Sequence, residues 1–162
     1  MRGASGAAIA EARWPADAPA VAALLRDCEG YAAGLGIDLG FQGFAAELAG
    51  LSGAYARPRG VMLLARAGTQ AAGCAACRPL AEGICEMKRL YVRPAFRGQG
   101  LGELLCRELI REARVCGYKA IRLDTGATMH RARRLYQALG FTPIPPYYET
   151  PYETLCFERA LI

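Results

Sequence analysis

The chain has 162 residues, of which 53% are hydrophobic and 22% charged. That suits one domain with its own core and excludes a disordered chain, an eightfold βα barrel or a pair of dinucleotide-binding halves. The net charge of +5 is unevenly spread: residues 86–134 hold 12 basic and 5 acidic side chains, net +7, while residues 1–85 balance at 7 and 7 and residues 135–162 hold 1 basic and 3 acidic.

A local excess of this kind suggests an anionic ligand at one site more than a generally basic surface, with a solvated basic face as the alternative until motifs decide. Arg2 is followed by Gly and Ala, and Glu11 and Arg13 interrupt before an apolar core forms, so no secretory leader is expected. No apolar run approaches the length of a membrane span. The seven cysteines are odd in number and irregularly spaced, which reads as free thiols in a reducing cytoplasm.

In chain order, Ala8–Arg13 reads as a first strand. Asp17 is placed to cap the helix that follows, with Pro19 in its first turn and Val21, Leu24, Leu25 and Cys28 on its apolar face. A loop with Gly34 and Gly36 leads to a shorter helix over Phe41–Leu48, with Phe41, Phe44, Ala45 and Leu48 on one side. Val61–Arg66 and Ala71–Cys77 read as strands joined by a turn at Gly68. Cys74-Ala-Ala-Cys77 lies on the second of these, where residues three apart point to opposite faces. No second cysteine pair accompanies it and His130 is the only histidine, so no redox or metal site is expected. Ile84–Val92 is the next strand. Leu101–Cys116 is the strongest helix, with Leu101, Leu104, Leu105, Leu109, Ala113 and Cys116 inward and Gly117 as its stop. Ala120–Asp124 is a strand, Met129–Leu139 a helix ended by Gly140, and Phe141–Leu161 a tail with one or two strands. The order β-α-α-β-β-β-α-β-α-β describes a mixed α/β sheet.

The densest information lies in Arg97-Gly-Gln-Gly-Leu-Gly102, between the end of a strand and the start of the strongest helix. Glycines let the main chain turn sharply and approach a ligand, and free amides at a helix start favour a phosphate. A P-loop would need Lys-Ser/Thr after its last glycine, where this chain has Glu103-Leu104. A dinucleotide fingerprint fits poorly, because Gly98, Gly100 and Gly102 are spaced by two and little chain follows Asp124. The pyrophosphate of coenzyme A needs only a loop and a helix start.

On these residues the chain resembles the GNAT superfamily of acetyl-CoA-dependent N-acetyltransferases. Arg97-x-x-Gly100-x-Gly102 matches that family's Q/R-x-x-G-x-G/A loop. Lys88-Arg-Leu-Tyr-Val-Arg-Pro94 precedes it, and Ile121-Arg-Leu-Asp-Thr125 and Leu135-Tyr-Gln-Ala-Leu-Gly-Phe141 follow in the family's order. Ile9–Arg13 with Asp17 looks like the family's start, and Pro145-Pro-Tyr-Tyr148 looks like a bacterial small-molecule branch. The resemblance implies one domain over residues 1–162, with six or seven strands, about four helices and two parallel strands that splay to hold coenzyme A. Those strands would be Ile84–Val92 and Ala120–Asp124, with a bulge near Arg89–Tyr91. Main-chain groups of Leu90, Tyr91 and Val92 would meet the pantetheine arm. Amides of Arg97, Gly98, Gln99, Gly100, Leu101 and Gly102 would hold the pyrophosphate, and Thr125, Ala132 and Tyr136 would complete the coenzyme site. Where many members carry Asn, three residues before Ala132, this chain has Met129.

The resemblance further implies direct acetyl transfer to an amine without an acyl-enzyme. Tyr136 is the candidate acid for the departing thiolate. Glu86 is the candidate base, placed by strand alternation on the same face as Leu90, with pairing to Lys88 or Arg89 as its structural alternative. The amide of Leu90 or Tyr91 is the candidate oxyanion donor. Tyr147, Tyr148 and Tyr152 with Glu149, and the loop from Tyr31 to Phe44, are candidate walls of the acceptor pocket. The expected partners are acetyl-CoA and a small-molecule primary amine, with no metal, nucleic acid or membrane; a homodimer is compatible with the resemblance. A protein N-terminal or lysine acetyltransferase and a non-catalytic acyl-CoA-binding regulator are the alternatives.

Overall fold

The computed structural model describes residues 6–162, with the side chains of 41 and 42 outside the described set. Seven strands form one sheet: β1 Ala8–Glu11, β2 Val61–Ala67, β3 Gln70–Ala81, β4 Ile84–Val92, β5 Ala120–Gly126, β6 Thr142–Ile144 and β7 Thr154–Ala160. The order across the sheet is β1-β2-β3-β4-β5-β7-β6, and only β4 and β5 run parallel. A parallel neighbour requires a crossover, and the helix between β4 and β5 supplies it.

Four helices cover the two faces. α1 (Ala18–Gly34) and α2 (Phe44–Ala49) lie on one; α3 (Leu101–Val115) and α4 (His130–Ala138) lie on the other. β2 to β4 are therefore covered on both sides, and alternate residues feed separate cores. Val61, Leu63, Cys77 and Leu123 pack with Leu105 and Leu109 of α3. Met62, Leu64, Cys74 and Ala76 pack with Val21, Leu24 and Leu25 of α1. Cys74 and Cys77 thus lie on opposite faces, as strand alternation requires. All seven cysteines are free thiols.

Two local expectations change. The helix over Phe41–Leu48 is instead a 3-10 turn, Leu39–Gln42, followed by α2. Gly43 at φ 71 breaks the run between them, so the proposed stripe does not form; the Phe41 side chain lies outside the described residues. Asp17 stands at the start of α1 but does not cap its amides. Its backbone is already helical, and the carboxylate turns back to accept from Arg13 N at 2.7 Å and Arg66 Nη2 at 2.8 Å. The Arg13 amide and Arg66 together hold this carboxyl below its ordinary value against the opposing effect of burial.

Candidate active site

β4 and β5 share a ladder only at Ile84↔Ala120, Cys85↔Ile121 and Glu86↔Arg122. Beyond that they part, although β4 runs on to Val92 and β5 to Gly126. A bulge accompanies the parting. Cys74 faces Tyr91 while Ala76 faces Lys88, so β4 carries one extra residue there. Arg89 sits in the bulge at φ 60, a left-handed conformation that costs a non-glycine residue about 1–2 kcal/mol. Its buried guanidinium is held against α2, with Nε 2.8 Å from Glu47 Oε2, Nη2 2.9 Å from Oε1, and the Phe44 ring 5.3 Å away. Two parallel charged hydrogen bonds of this kind offset the strain.

The extra residue reverses the strand's parity. Cys85, Met87, Leu90 and Val92 pack with the α3 core, while Tyr91 packs with the α1 core. Glu86 therefore lies on the face opposite Leu90, not beside it. Past the bulge, Arg93 N donates to Ala72 O across the β3 ladder. Alternation in an antiparallel ladder then turns the main-chain groups of Tyr91 to β3 and those of Val92 to the open side. Val92 O does face that side, because Arg97 Nε reaches it at 2.8 Å.

A groove runs from this open edge between the starts of α3 and α4. Leu90, Tyr91, Val92, Arg97, Gly98, Gly100, Leu101 and Gly102 line one wall, and Met129, Ala132, Arg131 and Arg134 the other. Gly98 (φ 81) and Gly100 (φ 76) curl the loop so that it delivers its amides to the groove. The first helical bond of α3 is Leu104 N to Gly100 O. Among the described residues, no acceptor takes the N–H groups of residues 98–103. Gln99 is not among the residues that line the groove. The Arg97 guanidinium turns inward, 4.9 Å from the Tyr31 ring and 5.6 Å from the Tyr91 ring, and braces the wall. Part of the +7 excess is offset by carboxylates outside the segment, with Arg89 on Glu47, Arg93 on Asp27 and Arg122 on Glu158, while Arg107 and Arg111 pair with Glu103 and Glu108 within it. Arg131 and Arg134 have no ion-pair partner among the described residues and remain for the groove.

A second cavity continues past Leu90 and Met129 into the fork. Thr125 and Tyr136 face it, with Lys88 and Asp124 from the parting strands, Ile37 and Leu39 from the α1–α2 connection, and Tyr152 from the tail. Asp38 N donates to the Tyr152 hydroxyl at 2.8 Å, which ties those two walls together. The Tyr136 ring packs edge-on to Phe141 at 5.9 Å and near Phe157 at 6.4 Å. Its hydroxyl has no hydrogen-bond partner among the described residues, and burial raises its pKa well above the usual phenol value. Glu86 lines neither cavity. Oε1 takes Arg78 at 3.1 and 3.2 Å, and Oε2 takes the Tyr147 hydroxyl at 2.6 Å. The sequence offered Lys88 or Arg89 as its partner; those side chains bind Asp124 and Glu47 instead. Tyr148 donates to Asp124 Oδ2 at 2.5 Å. Burial and then these carboxylate bonds keep Tyr147 and Tyr148 protonated far up the pH scale. Glu149 is exposed.

The model of the acetyltransferase (GNAT) family matches residues 39–141, the stretch that carries the bulge, the loop and both cavities. A Schizosaccharomyces pombe protein described as an uncharacterized N-acetyltransferase is 45% identical over 132 residues, covering 80% of each chain. The chain belongs to the GNAT acetyltransferase family. A GNAT-family acetyltransferase from Staphylococcus aureus has the same fold, with a TM-score of 0.79 at 18% identity over 96% of this chain and 99% of that one. One from Elizabethkingia anophelis with acetyl-CoA bound aligns at a TM-score of 0.55 and 24% identity, over 63% of this chain and 76% of that one.

This protein is thus an acetyl-CoA-dependent N-acetyltransferase, and its own groove fits that cosubstrate: a row of unengaged amides, two unpaired arginines, and an open strand edge that leads to a cavity. The sequence reading missed one charge pair and noted Met129 without giving it a place. Lys88 and Asp124 face each other across the fork, two residues on from Glu86↔Arg122, a register that only the folded sheet supplies. Met129, where many GNAT proteins carry Asn, packs over Thr125, with Thr125 Oγ1 3.6 Å from its sulfur, and lines both cavities.

Proposed function

We propose that this acetyltransferase acts on a primary amine of a small molecule by direct attack. The observation that carries the acceptor class is the size of the second cavity, about 160 Å³, whose two walls the Asp38–Tyr152 hydrogen bond joins. Acetyl-CoA, when bound, supplies an activated acetyl group whose C–S bond breaks as the N–C bond to the amine forms.

The amides of residues 98–103 hold the pyrophosphate, and the open edge of β4 at Leu90 and Val92 receives the pantetheine arm, with Thr125 and Ala132 flanking it. This arrangement fixes the reacting groups relative to each other, which accounts for a large part of the acceleration. Tyr136 keeps a proton on its hydroxyl at the cavity wall, ready for the departing sulfur. Asp124, the carboxylate that lines the cavity, takes the amine's proton at Oδ1. Glu86 is a positioning residue that holds Tyr147 and Arg78. Seven free thiols suit a reducing cytoplasm, and one sheet bearing both groove and cavity supports a single domain over residues 1–162.

The test is a pair of panels. Thiol release from acetyl-CoA is followed with small primary amines and with short peptides of free N-terminus or internal lysine. Turnover of small amines at least tenfold above the peptides is expected. Preference for peptides would refute the acceptor assignment.

A further inference from the structure

The fork places two opposite charges in the acceptor cavity, one from each parting strand. Lys88 Nζ lies 3.5 Å from Asp124 Oδ1, and the side chains are only 6% and 11% exposed. That contact is longer than the roughly 2.7–2.9 Å of a charge-assisted hydrogen bond. Among the described residues the Lys88 ammonium donates no hydrogen bond, and the Asp124 carboxylate accepts one only at Oδ2, from Tyr148. A largely buried ammonium held by one 3.5 Å ion pair and no hydrogen bond has donors left for a further anionic or carbonyl partner. Beyond Asp124 the neighbouring wall offers no second anion: Met87, Leu90 and Leu123 are apolar, and Glu47 is committed to Arg89. Asp124 Oδ1 likewise has room for a donor.

We propose that this pair selects an acceptor bearing both charges: a free amino acid, whose ammonium docks on Asp124 Oδ1 and whose carboxylate docks on Lys88 Nζ. The assignment rests on the small-molecule reading above and narrows it to amines that carry a carboxylate. An α-amino acid holds its two charges at a spacing comparable with that of the pair. It lies antiparallel beside Lys88 and Asp124, each charge next to its opposite, with its side chain toward Ile37 and Leu39. An amine without a carboxylate leaves Lys88 unengaged, and a site that presents a buried charge discriminates strongly against a ligand lacking its partner.

Three matched forms test this with the full-length protein and saturating acetyl-CoA: L-alanine, L-leucine and L-phenylalanine, their carboxamides, and the amines left when the carboxyl group is removed. β-Alanine and 4-aminobutyrate form a further arm that separates α- from ω-amino acids. The acids should show a kcat/KM at least 100-fold above their amides and amines, with α above ω. The preferred acid should also raise the melting temperature of the coenzyme A complex, a readout that needs no turnover. Lys88→Met should reduce the acid-over-amide ratio at least tenfold, through the KM of the acid, while the melting shift from acetyl-CoA persists and shows that the variant is folded. Equal turnover of acids and amides by the unaltered protein overturns the proposal, as does a Lys88→Met ratio unchanged from it. Preference for an ω-amino acid overturns the α-assignment and keeps the two-charge recognition. Thiol release with none of these compounds, alongside a retained acetyl-CoA melting shift, overturns both this assignment and the small-amine reading while leaving coenzyme binding intact.

Discussion

Tyr136→Phe separates a chemical role from a packing role. The ring stays against Phe141 and Phe157, and the lost hydroxyl has no hydrogen-bond partner among the described residues. No donor or acceptor is orphaned, so stability should change by less than about 0.5 kcal/mol. If the hydroxyl supplies the proton for the departing sulfur, kcat should fall about 10²- to 10⁴-fold, the usual contribution of a positioned acid. That corresponds to about 3–5 kcal/mol on the barrier. Thiol release at saturating amine and acetyl-CoA reads kcat, calorimetric titration reads coenzyme affinity, and urea unfolding reads stability. The pH profile adds a check. Burial raises the Tyr136 pKa above its ordinary 10.0, so deprotonation of this group should not depress turnover below that pH. A variant with kcat within threefold of the unaltered protein refutes the acid assignment. A loss of several kcal/mol in stability would instead assign the hydroxyl a structural role.

Gly100→Ala should cost about 1–2 kcal/mol in urea unfolding, because φ 76 strains any side chain although no atom lies within 4 Å of the new Cβ. Gly102→Ala, with a helical backbone and Val92 Cγ2 as its nearest neighbour at 3.9 Å, should be neutral or stabilising by up to about 1 kcal/mol; equal losses at both positions would contradict the loop geometry. Glu47→Gln should destabilise by about 3 kcal/mol by breaking the buried pair that holds Arg89 in the bulge, and should weaken acetyl-CoA binding with it. Burial opposes ionisation of Glu47, but the Arg89 hydrogen bonds prevail and hold its pKa below the ordinary 4.5, as the Arg13 amide and Arg66 hold Asp17 below 3.8. The folded state thus binds these protons less tightly than the unfolded chain. Their stabilisation is full above about pH 5 and lost as acid titrates the folded groups, so the melting temperature should fall over that range and fall less steeply in Glu47→Gln. Glu86→Gln should lower stability by about 1–3 kcal/mol through Arg78 and Tyr147 and leave the KM for the amine within threefold; a loss confined to kcat would return the base role to Glu86.

The strand boundaries of β4 were legible to the residue because Gly83 and Pro94 bracket a β-rich run. The loop before α3 was legible because its glycines carry positive φ, which composition signals directly. The parity of β4 was not. A period-of-two reading puts Glu86 and Leu90 together, and the residue that breaks the period is Arg89, an arginine where a glycine would have flagged the turn. Its conformation is stabilised by Glu47, 42 residues away in sequence. The partners of Glu86 and Asp124 were hidden for the same reason: Tyr147 and Tyr148 arrive from the tail, 61 and 24 residues on. The charge excess located the groove's segment but overstated its free charge, since Arg89, Arg93 and Arg122 pair with carboxylates outside the segment.

The most direct test follows acetyl-CoA and a small amine together, measuring thiol released and N-acetylated amine by mass spectrometry in the same reaction. One thiol for each acetylated amine, with no release when the amine is omitted and a reduced release from Gly100→Ala at coenzyme concentrations that just saturate the unaltered protein, is the expected result. Thiol release that proceeds without amine, or persists undiminished in Gly100→Ala, would contradict transfer from a coenzyme held by the amides of residues 98–103.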